Sequence, residues 1–327
     1  MILFFLAAGE GTRFRPHTEV LPKPALPFCG VPLIYYSYFL AKCLQPSRLV
    51  INTYHLPDEI RKIGNSLSAI TPDVKFSDEK EHLLGSAGGM AKAREYLSVE
   101  EDFIAINADE VIIPLELNIM RDFYQFAKSQ NYLSVLMVMK HPEAGKKFGA
   151  VWANSKGEVF GFGKTPPQSS EELLPYHFIG PMYFKNRIFS RLKEEPSNIL
   201  HDVLTQAIRE GDKVIIFPIE CEWFETGNLE DYLLATKKVV DLIQEQNPFL
   251  LEMKSQLKIE TELVVTPQAK ILKHHSAFID PTSEISGTVV LGAKVHLSAG
   301  VTIRDSVVSD NIKIESNRIV ERSLVLN

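Results

Sequence analysis

Residues 6–27 read LAAGEGTRFRPHTEVLPKPALP, and this stretch decides the fold. The apolar run Met1 to Ala8 suits a buried parallel strand, apolar on both faces. It stops at Gly9-Glu10-Gly11-Thr12-Arg13. Two glycines let the backbone turn tightly and approach a ligand closely. Exposed backbone N–H groups in such a turn favour anions. Arg13 adds a planar, bidentate phosphate grip, and Lys23 adds a point charge. Pro22 and Pro24 hold that lysine on a stiff, extended segment. Together these residues describe a polyphosphate site. A Walker A loop is excluded, because Gly-x-x-x-x-Gly-Lys-Ser/Thr is absent. A dinucleotide fingerprint is excluded too. Phe14 stands where its third glycine belongs, and the second strand, near Leu49 to Thr53, ends in Asn-Thr rather than an acid.

The chain has 327 residues, 45% hydrophobic and 23% charged, with a net charge of −6. That length accommodates one large domain plus a smaller one. The negative charge, and the lack of a basic stretch with interleaved aromatics, argue against a nucleic-acid partner. Cys29, Cys43 and Cys221 are odd in number and widely spaced, so they read as free thiols in a reducing, cytoplasmic compartment. The apolar N-terminus has no basic n-region and is read as a strand, not a signal peptide. No segment approaches the ~18 apolar residues of a membrane span.

Up to about Thr236, strands alternate with helices. Strands are expected at Ile2 to Ala7, Leu49 to Thr53, Val74 to Ser77, Phe103 to Asn107 and Leu133 to Met139. Helices are expected near Leu33 to Cys43, Asp58 to Ser68, Gly88 to Glu95 and Arg121 to Gln130. This is an α/β pattern, a Rossmann-like mostly parallel sheet covered on both faces. Ligands then sit at the carboxyl ends of the strands. Beyond Val138, a hairpin around Asn154 to Gly157 and strands in FIGPMYF and KVIIFPIECEWFE follow. Helical spacing from Asn228 to about Lys254 marks a connecting helix.

The last fifty residues repeat every six. Val289, Val295, Val301 and Val307 form one column, with Ala277 and Ser283 as smaller members. Ile279, Ile285, Leu291, Leu297 and Ile303 form a second. Inward aliphatics at this period indicate a short left-handed hexapeptide β-helix of about three coils. So short a stack should lean on the catalytic domain or on another subunit, and a homo-oligomer, dimer or higher, is the expectation. An acyltransferase site on this tail is an alternative, but nothing sets His274, His275 or His296 apart. The domains are therefore expected at 1–236, 237–270 as linker, and 271–327.

The segment Leu6 to Ile34 resembles the signature of the sugar-phosphate nucleotidyltransferases, or nucleotide-sugar pyrophosphorylases. The resemblance spans essentially the whole chain. It implies transfer of a nucleotidyl group from a nucleoside triphosphate to a sugar 1-phosphate, with release of pyrophosphate. A triphosphate brings roughly four negative charges. Arg13, Lys23 and a helix N-terminus worth about half a charge do not balance them, so Mg²⁺ on carboxylates is expected. Asp109, at the end of a buried strand, and Glu225, in Trp223-Phe224-Glu225-Thr226-Gly227, are the candidate ligands. The family has Asn-Gly-Asp at the first place and Trp-x-Asp-x-Gly at the second, so Ala108 and Glu225 depart from its pattern.

The resemblance further implies nucleotide contacts from Leu6, Ala8, Gly9, Gly11, Thr12, Arg13 and Lys23. Leu84-Gly85-Ser86-Ala87-Gly88 is similar to the family's Leu-Gly-Thr-Ala-Gly, which assigns Gly85 to the base, with Glu81 nearby. Lys164 would hold the sugar phosphate, Gly149 matches a family glycine beneath the sugar, and Gly180 matches the glycine of the following strand, also assigned to the sugar phosphate. Where the family has Glu-Lys-Pro, this chain has Gly163-Lys164-Thr165-Pro166, and Phe178 replaces an asparagine. A sugar contact is thereby missing. Arg13, Lys23 and Asp109 are the expected catalytic residues. The short tail is most similar to the mannose-1-phosphate guanylyltransferase branch, which makes GTP with mannose 1-phosphate, or a heptose analogue, the first expectation. Uridylyl or thymidylyl transfer to glucose or an amino sugar stands behind it. The departures at Gly163 and Glu225 also leave open a nucleotide-sugar-binding regulator of weak turnover.

Overall fold

The computed structural model describes residues 1–68, 71 and 73–327. They form two compact units, Met1–Glu10 with Ser37–Trp223, and Gly11–Tyr36 with Phe224–Asn327. This division does not follow the 236/237 boundary expected from the sequence, because residues 11–36 pack with the C-terminal third.

The first unit is built on a nine-stranded sheet. Ile2–Leu6 lies between Asp102–Asn107 and Arg48–Thr53, parallel to both, and Val74–Asp78 pairs parallel with Arg48–Thr53. These four strands fall within two residues of their expected bounds. Their apolar runs are buried on both faces: Leu3, Phe4, Phe5, Val50, Ile51, Ile104 and Ile106 are fully enclosed. Leu174–Lys185 joins this parallel set antiparallel to Asp102–Asn107. Its first residues pair with Ala150–Ala153, and its remainder pairs with Ser134–Met139. The register shifts between Phe178 and Met182, around Gly180 at φ 116. Val214–Pro218 adds a strand parallel to Ser134–Met139. The expected hairpin is present, with Ala150–Ala153 antiparallel to Val159–Gly163. Helices Ile34–Ala41, Pro57–Leu67, Gly85–Lys92 and Ile119–Ser129 stand where helical periodicity places them. The α/β, mostly parallel architecture is thus as expected.

In the second unit, residues 11–36 are held by aromatic packing. Tyr232, on helix Leu229–Gln244, meets Phe14 at 5.4 Å and Phe28 at 5.5 Å, each edge-on, and Phe28 meets Tyr36 at 5.3 Å. Edge-to-face pairs of this kind add to the gain from burial. The Tyr232 hydroxyl also donates to the Pro27 carbonyl. Asn228 caps the helix, its Oδ1 accepting from Asp231 N at 3.0 Å. The single connecting helix expected to about Lys254 is instead two. Gln246 takes a left-handed backbone, Asn247 caps afresh, and Pro248 opens helix Pro248–Gln256. Asn-Pro was a visible stop that continuing aliphatic spacing concealed.

The tail is a stack of parallel strands, Ala269–His274, Glu284–Leu291 and Thr302–Val308. Ala269 lies beside Gly287, Phe278 beside His296 and Glu284 beside Thr302, a step of 18 residues. Val289, Val295 and Val301, with Leu291, Leu297 and Ile303, are at most 1% exposed. One member of the expected column is corrected. At the shift between Ser286 and Val289 the step shortens to 17, so Ser306 stands opposite Val289 and Val308 opposite Leu291. Val308, not Val307, belongs to the inward cluster. The slip occurs where Asp305, at φ 43, accepts from Thr288 N at 3.0 Å. The three cysteines are free. No helix among the described residues is long and apolar enough to cross a membrane.

Candidate active site

In the first unit, polar groups converge at the carboxyl ends of three parallel strands. Beyond Leu6, the N–H groups of Ala7 and Ala8 donate to Asn52 Oδ1 at 2.6 and 3.2 Å. Asn52 Nδ2 donates to Glu79 Oε1 at 2.7 Å, and Glu79 Oε2 accepts from Leu84 N at 2.7 Å. Asn52 and Glu79 are almost wholly buried, at 2% and 3% exposure. Burial pushes the Glu79 carboxyl above its ordinary range, while the Leu84 N–H and the Asn52 amide pull it down. This chain of bonds ties the residues entering the glycine turn to the loop that opens helix Gly85–Lys92. Gly85 lies at φ +68, and a Cβ there would stand 2.6 Å from Ser197 O, so both backbone and space require glycine. Glu81, expected near the base, is exposed. Sequence reasoning missed Asn52 and Glu79. Asn52 was noticed only as a strand end lacking an acid.

Asp109 follows strand Asp102–Asn107 and is half-buried. The preceding Ala108 donates its N–H to Leu6 O at 3.1 Å and does not adopt a positive φ, so alanine is unstrained in place of the family's glycine. Glu110 is a second residue that pattern reading missed. Its Oε1 accepts from Asn107 Nδ2 at 3.0 Å and its Oε2 from Trp223 Nε1 at 2.8 Å. Gly180 makes room for it, since a Cβ there would lie 2.8 Å from Glu110 Cγ.

The residues assigned to the sugar also belong to this unit. A Cβ on exposed Gly149 would reach Gly163 Cα at 3.9 Å, and one on Gly163 would meet nothing within 4 Å. Trp152 Nε1 donates to Gly163 O at 2.9 Å, fixing the strand end, and Lys164 beside it is exposed.

In the second unit, Gly11 lies at φ +61. Its carbonyl accepts from Phe14 N and from Thr18 Oγ1, each at 2.9 Å, closing the turn. A Cβ on Gly11 would lie 3.5 Å from Lys23 Cβ, so the second basic residue starts next to the turn. Thr12 and Arg13 are exposed. Arg13 Nη2 stands 3.8 Å from Glu225 Oε1. Arg13 is exposed and the pair is long, so it holds weakly, leaving the guanidinium able to turn to an anion. A Cβ on Gly227 would fall 2.2 Å from Glu225 Oε1 and 2.9 Å from Arg13 Nη2, so Gly227 permits their approach.

Among the described residues, no three His, Cys, Asp or Glu side chains group as an ion site. Mg²⁺ on a nucleotide asks for less, one or two carboxylates with phosphate oxygens completing the shell. Asp109 in the first unit and Glu225 in the second each carry oxygen donors of that kind.

The nucleotidyl transferase family model matches residues 3–241. Glucose-1-phosphate adenylyltransferase of Bacillus thuringiensis is 25% identical, over 99% of this chain and 91% of the relative. Mannose-1-phosphate guanylyltransferase of Mycobacterium tuberculosis is 22% identical, over 97% and 82%. Among solved structures, the inositol-1-phosphate CTP transferase from T. maritima superposes with a TM-score of 0.58 at 20% identity, covering 77% of this chain and 96% of that one. That likeness carries the fold. With the family model matching well over half its length, the chain belongs to the nucleotidyl transferase family, among the sugar-phosphate nucleotidyltransferases.

Proposed function

We propose that the protein transfers a nucleotidyl group from a nucleoside triphosphate to a sugar 1-phosphate, giving a nucleotide sugar and pyrophosphate. The observation that carries this is the Ala7/Ala8–Asn52–Glu79–Leu84 chain. It joins the start of a phosphate-type glycine turn to a small-residue loop suited to a flat base. The backbone from Leu6 and Ala8 through Gly9, Gly11 and Thr12 receives the triphosphate. Arg13 and Lys23 stabilise charge that develops on the departing pyrophosphate. Gly85 lies under the base. Lys164 orients the acceptor phosphate, with Gly149 and Gly180 leaving space for the sugar. The attacking phosphate oxygen is already anionic, so no protein nucleophile is required. Mg²⁺ held by Asp109 and Glu225 supplies further neutralisation of the triphosphate when bound.

GTP with mannose 1-phosphate, or a heptose analogue, remains the first pair to test. The likeness to a guanylyltransferase over 97% of the chain supports it. The adenylyltransferase relatives add ATP with glucose 1-phosphate, and UTP or dTTP with glucose or an amino sugar follow. The 18-residue step of the tail is three hexads per coil, which supports reading it as a left-handed hexapeptide β-helix; a cytoplasmic homo-oligomer is proposed with it. The open space at Gly163 favours a second reading, a nucleotide-sugar-binding regulator of weak turnover.

A thermal-shift screen of nucleotide sugars with Mg²⁺ tests the proposal. A product at a hundred times its Kd stabilises the fold by about 2.7 kcal/mol, so one base and sugar should stand out. No shift from any of them would count against the proposal. Binding without turnover would favour the regulator.

A further inference from the structure

We propose that His177 reads a hydroxyl of the acceptor and so selects a neutral sugar 1-phosphate, in place of the acidic side chain that position 163 lacks. The inference rests on the transferase reading above and adds to it the residue that sorts the sugar.

His177 lies on strand Leu174–Lys185 at 7% exposure. Its Nδ1 and its Nε2 are both buried, and neither has a hydrogen-bond partner among the described residues. Side-chain nitrogens at such depth are ordinarily paired, so an imidazole with two orphans calls for a partner. What surrounds it is aromatic. The Trp223 ring lies at 4.3 Å and the Phe148 ring at 4.9 Å, with His141 at 5.5 Å. Trp223 is fixed by its bond to Glu110. Phe148 immediately precedes Gly149, whose vacant side faces the Gly163 backbone, where a side chain would meet nothing. The unpaired imidazole therefore shares its aromatic neighbours with an open place on the sugar side.

A neutral imidazole offers one donor and one acceptor, the pair a hydroxyl answers. Burial pushes the ring down to about 4, so it is uncharged at neutral pH. Apolar faces with a few placed polar atoms are the usual construction of a small-molecule site, and they suit the C–H face of a sugar ring. An ammonium or carboxylate carried by the sugar would lose its hydration there and find no counter-charge in these rings. Both nitrogens are buried, so a neighbouring ring has to turn aside for a sugar hydroxyl to reach either; Phe148 and His141 are only half-buried.

The test is steady-state kinetics on the full chain with the preferred triphosphate, comparing the parent with His177→Phe and His177→Gln. His177→Phe keeps a ring and removes both nitrogens. It should raise KM for the acceptor by about tenfold or more, as loss of a hydroxyl contact does, with kcat and KM for the triphosphate little changed. His177→Gln, which keeps a donor and an acceptor, should recover most of that loss. The parent should discriminate against one deoxy-sugar 1-phosphate, His177→Phe should not, and amino and uronic sugar phosphates should be poor acceptors. An unchanged acceptor KM in His177→Phe, an equal loss on both substrates, or preference for a charged sugar would overturn the proposal. If His177→Phe does not fold, His177→Leu takes its place: lost discrimination in the deoxy series supports the proposal, and discrimination equal to the parent's overturns it. Failure of the parent itself to release pyrophosphate with any acceptor is a separate result, which removes the transferase reading and this inference with it.

Discussion

Replacing Asn52 with alanine removes the side chain on which the strand-end network turns. The N–H groups of Ala7 and Ala8, in residues 2% and 3% exposed, lose their acceptor, and Glu79 Oε1 loses its donor. Each orphaned buried group costs about 1–3 kcal/mol, and a bond to a charged group contributes about 1.5–3 kcal/mol. Water entering the vacated space offsets part of this. The expected loss is therefore about 3–5 kcal/mol, a large part of the 5–15 kcal/mol typical of a folded protein. The loss should also depend on pH. Burial already raises the Glu79 carboxyl, and the Asn52 amide is one of the groups opposing that shift. Without it the folded-state carboxyl rises further. A raised acid holds its proton longer in the fold than in the unfolded chain, so stability falls as pH climbs through the window above 4.5. Urea denaturation at pH 5 and pH 8, followed by circular dichroism, measures both terms. A loss below about 1 kcal/mol at pH 8, or one no larger at pH 8 than at pH 5, would refute the reasoning. Asn52→Asp is the companion variant. It sets a second acid 2.7 Å from Glu79, so the two carboxylates should share one proton and the pH dependence should steepen.

Gly85→Ala should cost about 1–2 kcal/mol for the left-handed backbone alone. The 2.6 Å approach to Ser197 O adds to this, so an unaltered melting temperature would contradict the packing described. Gly227→Ala meets only the mobile ends of Glu225 and Arg13, so the fold should survive it. Turnover should still drop by about tenfold or more, equivalent to ~1.4 kcal/mol, and full activity would speak against a role for that pair. His177 stays neutral in the fold but takes a proton once unfolded. Its burial therefore lowers stability as pH falls from 6.5 towards 4, by about 3 kcal/mol in full, and has no effect above 6.5. His177→Phe should flatten that acid limb in denaturation curves taken between pH 4 and 7.

The central strands were legible because their aliphatic and aromatic runs are short, unbroken and bounded by turn residues. Gly11 was legible from the tight turn its surroundings require, and Gly85 from the likeness of residues 84–88 to the family motif; the structure gives both a positive φ. Contacts made across the sequence were not. Nothing local announces that Phe14 and Phe28 pack on Tyr232, so the grouping of residues 11–36 with the C-terminal third lay beyond periodicity. A six-residue period likewise conceals a slip of one at Asp305, which displaces Val307 from its column. Asn52, Glu79 and Glu110 each depend on at least one partner 27 to 113 residues away, and a single sequence does not display such pairs.

Pyrophosphate release tests the transferase reading most directly. Protein stripped with a chelator would be supplied with nucleoside triphosphates and sugar 1-phosphates in every pairing, with and without Mg²⁺. One pairing should release pyrophosphate far faster than the rest, and only with the metal restored. Silence across the whole matrix, with metal present and the protein folded, would contradict the account.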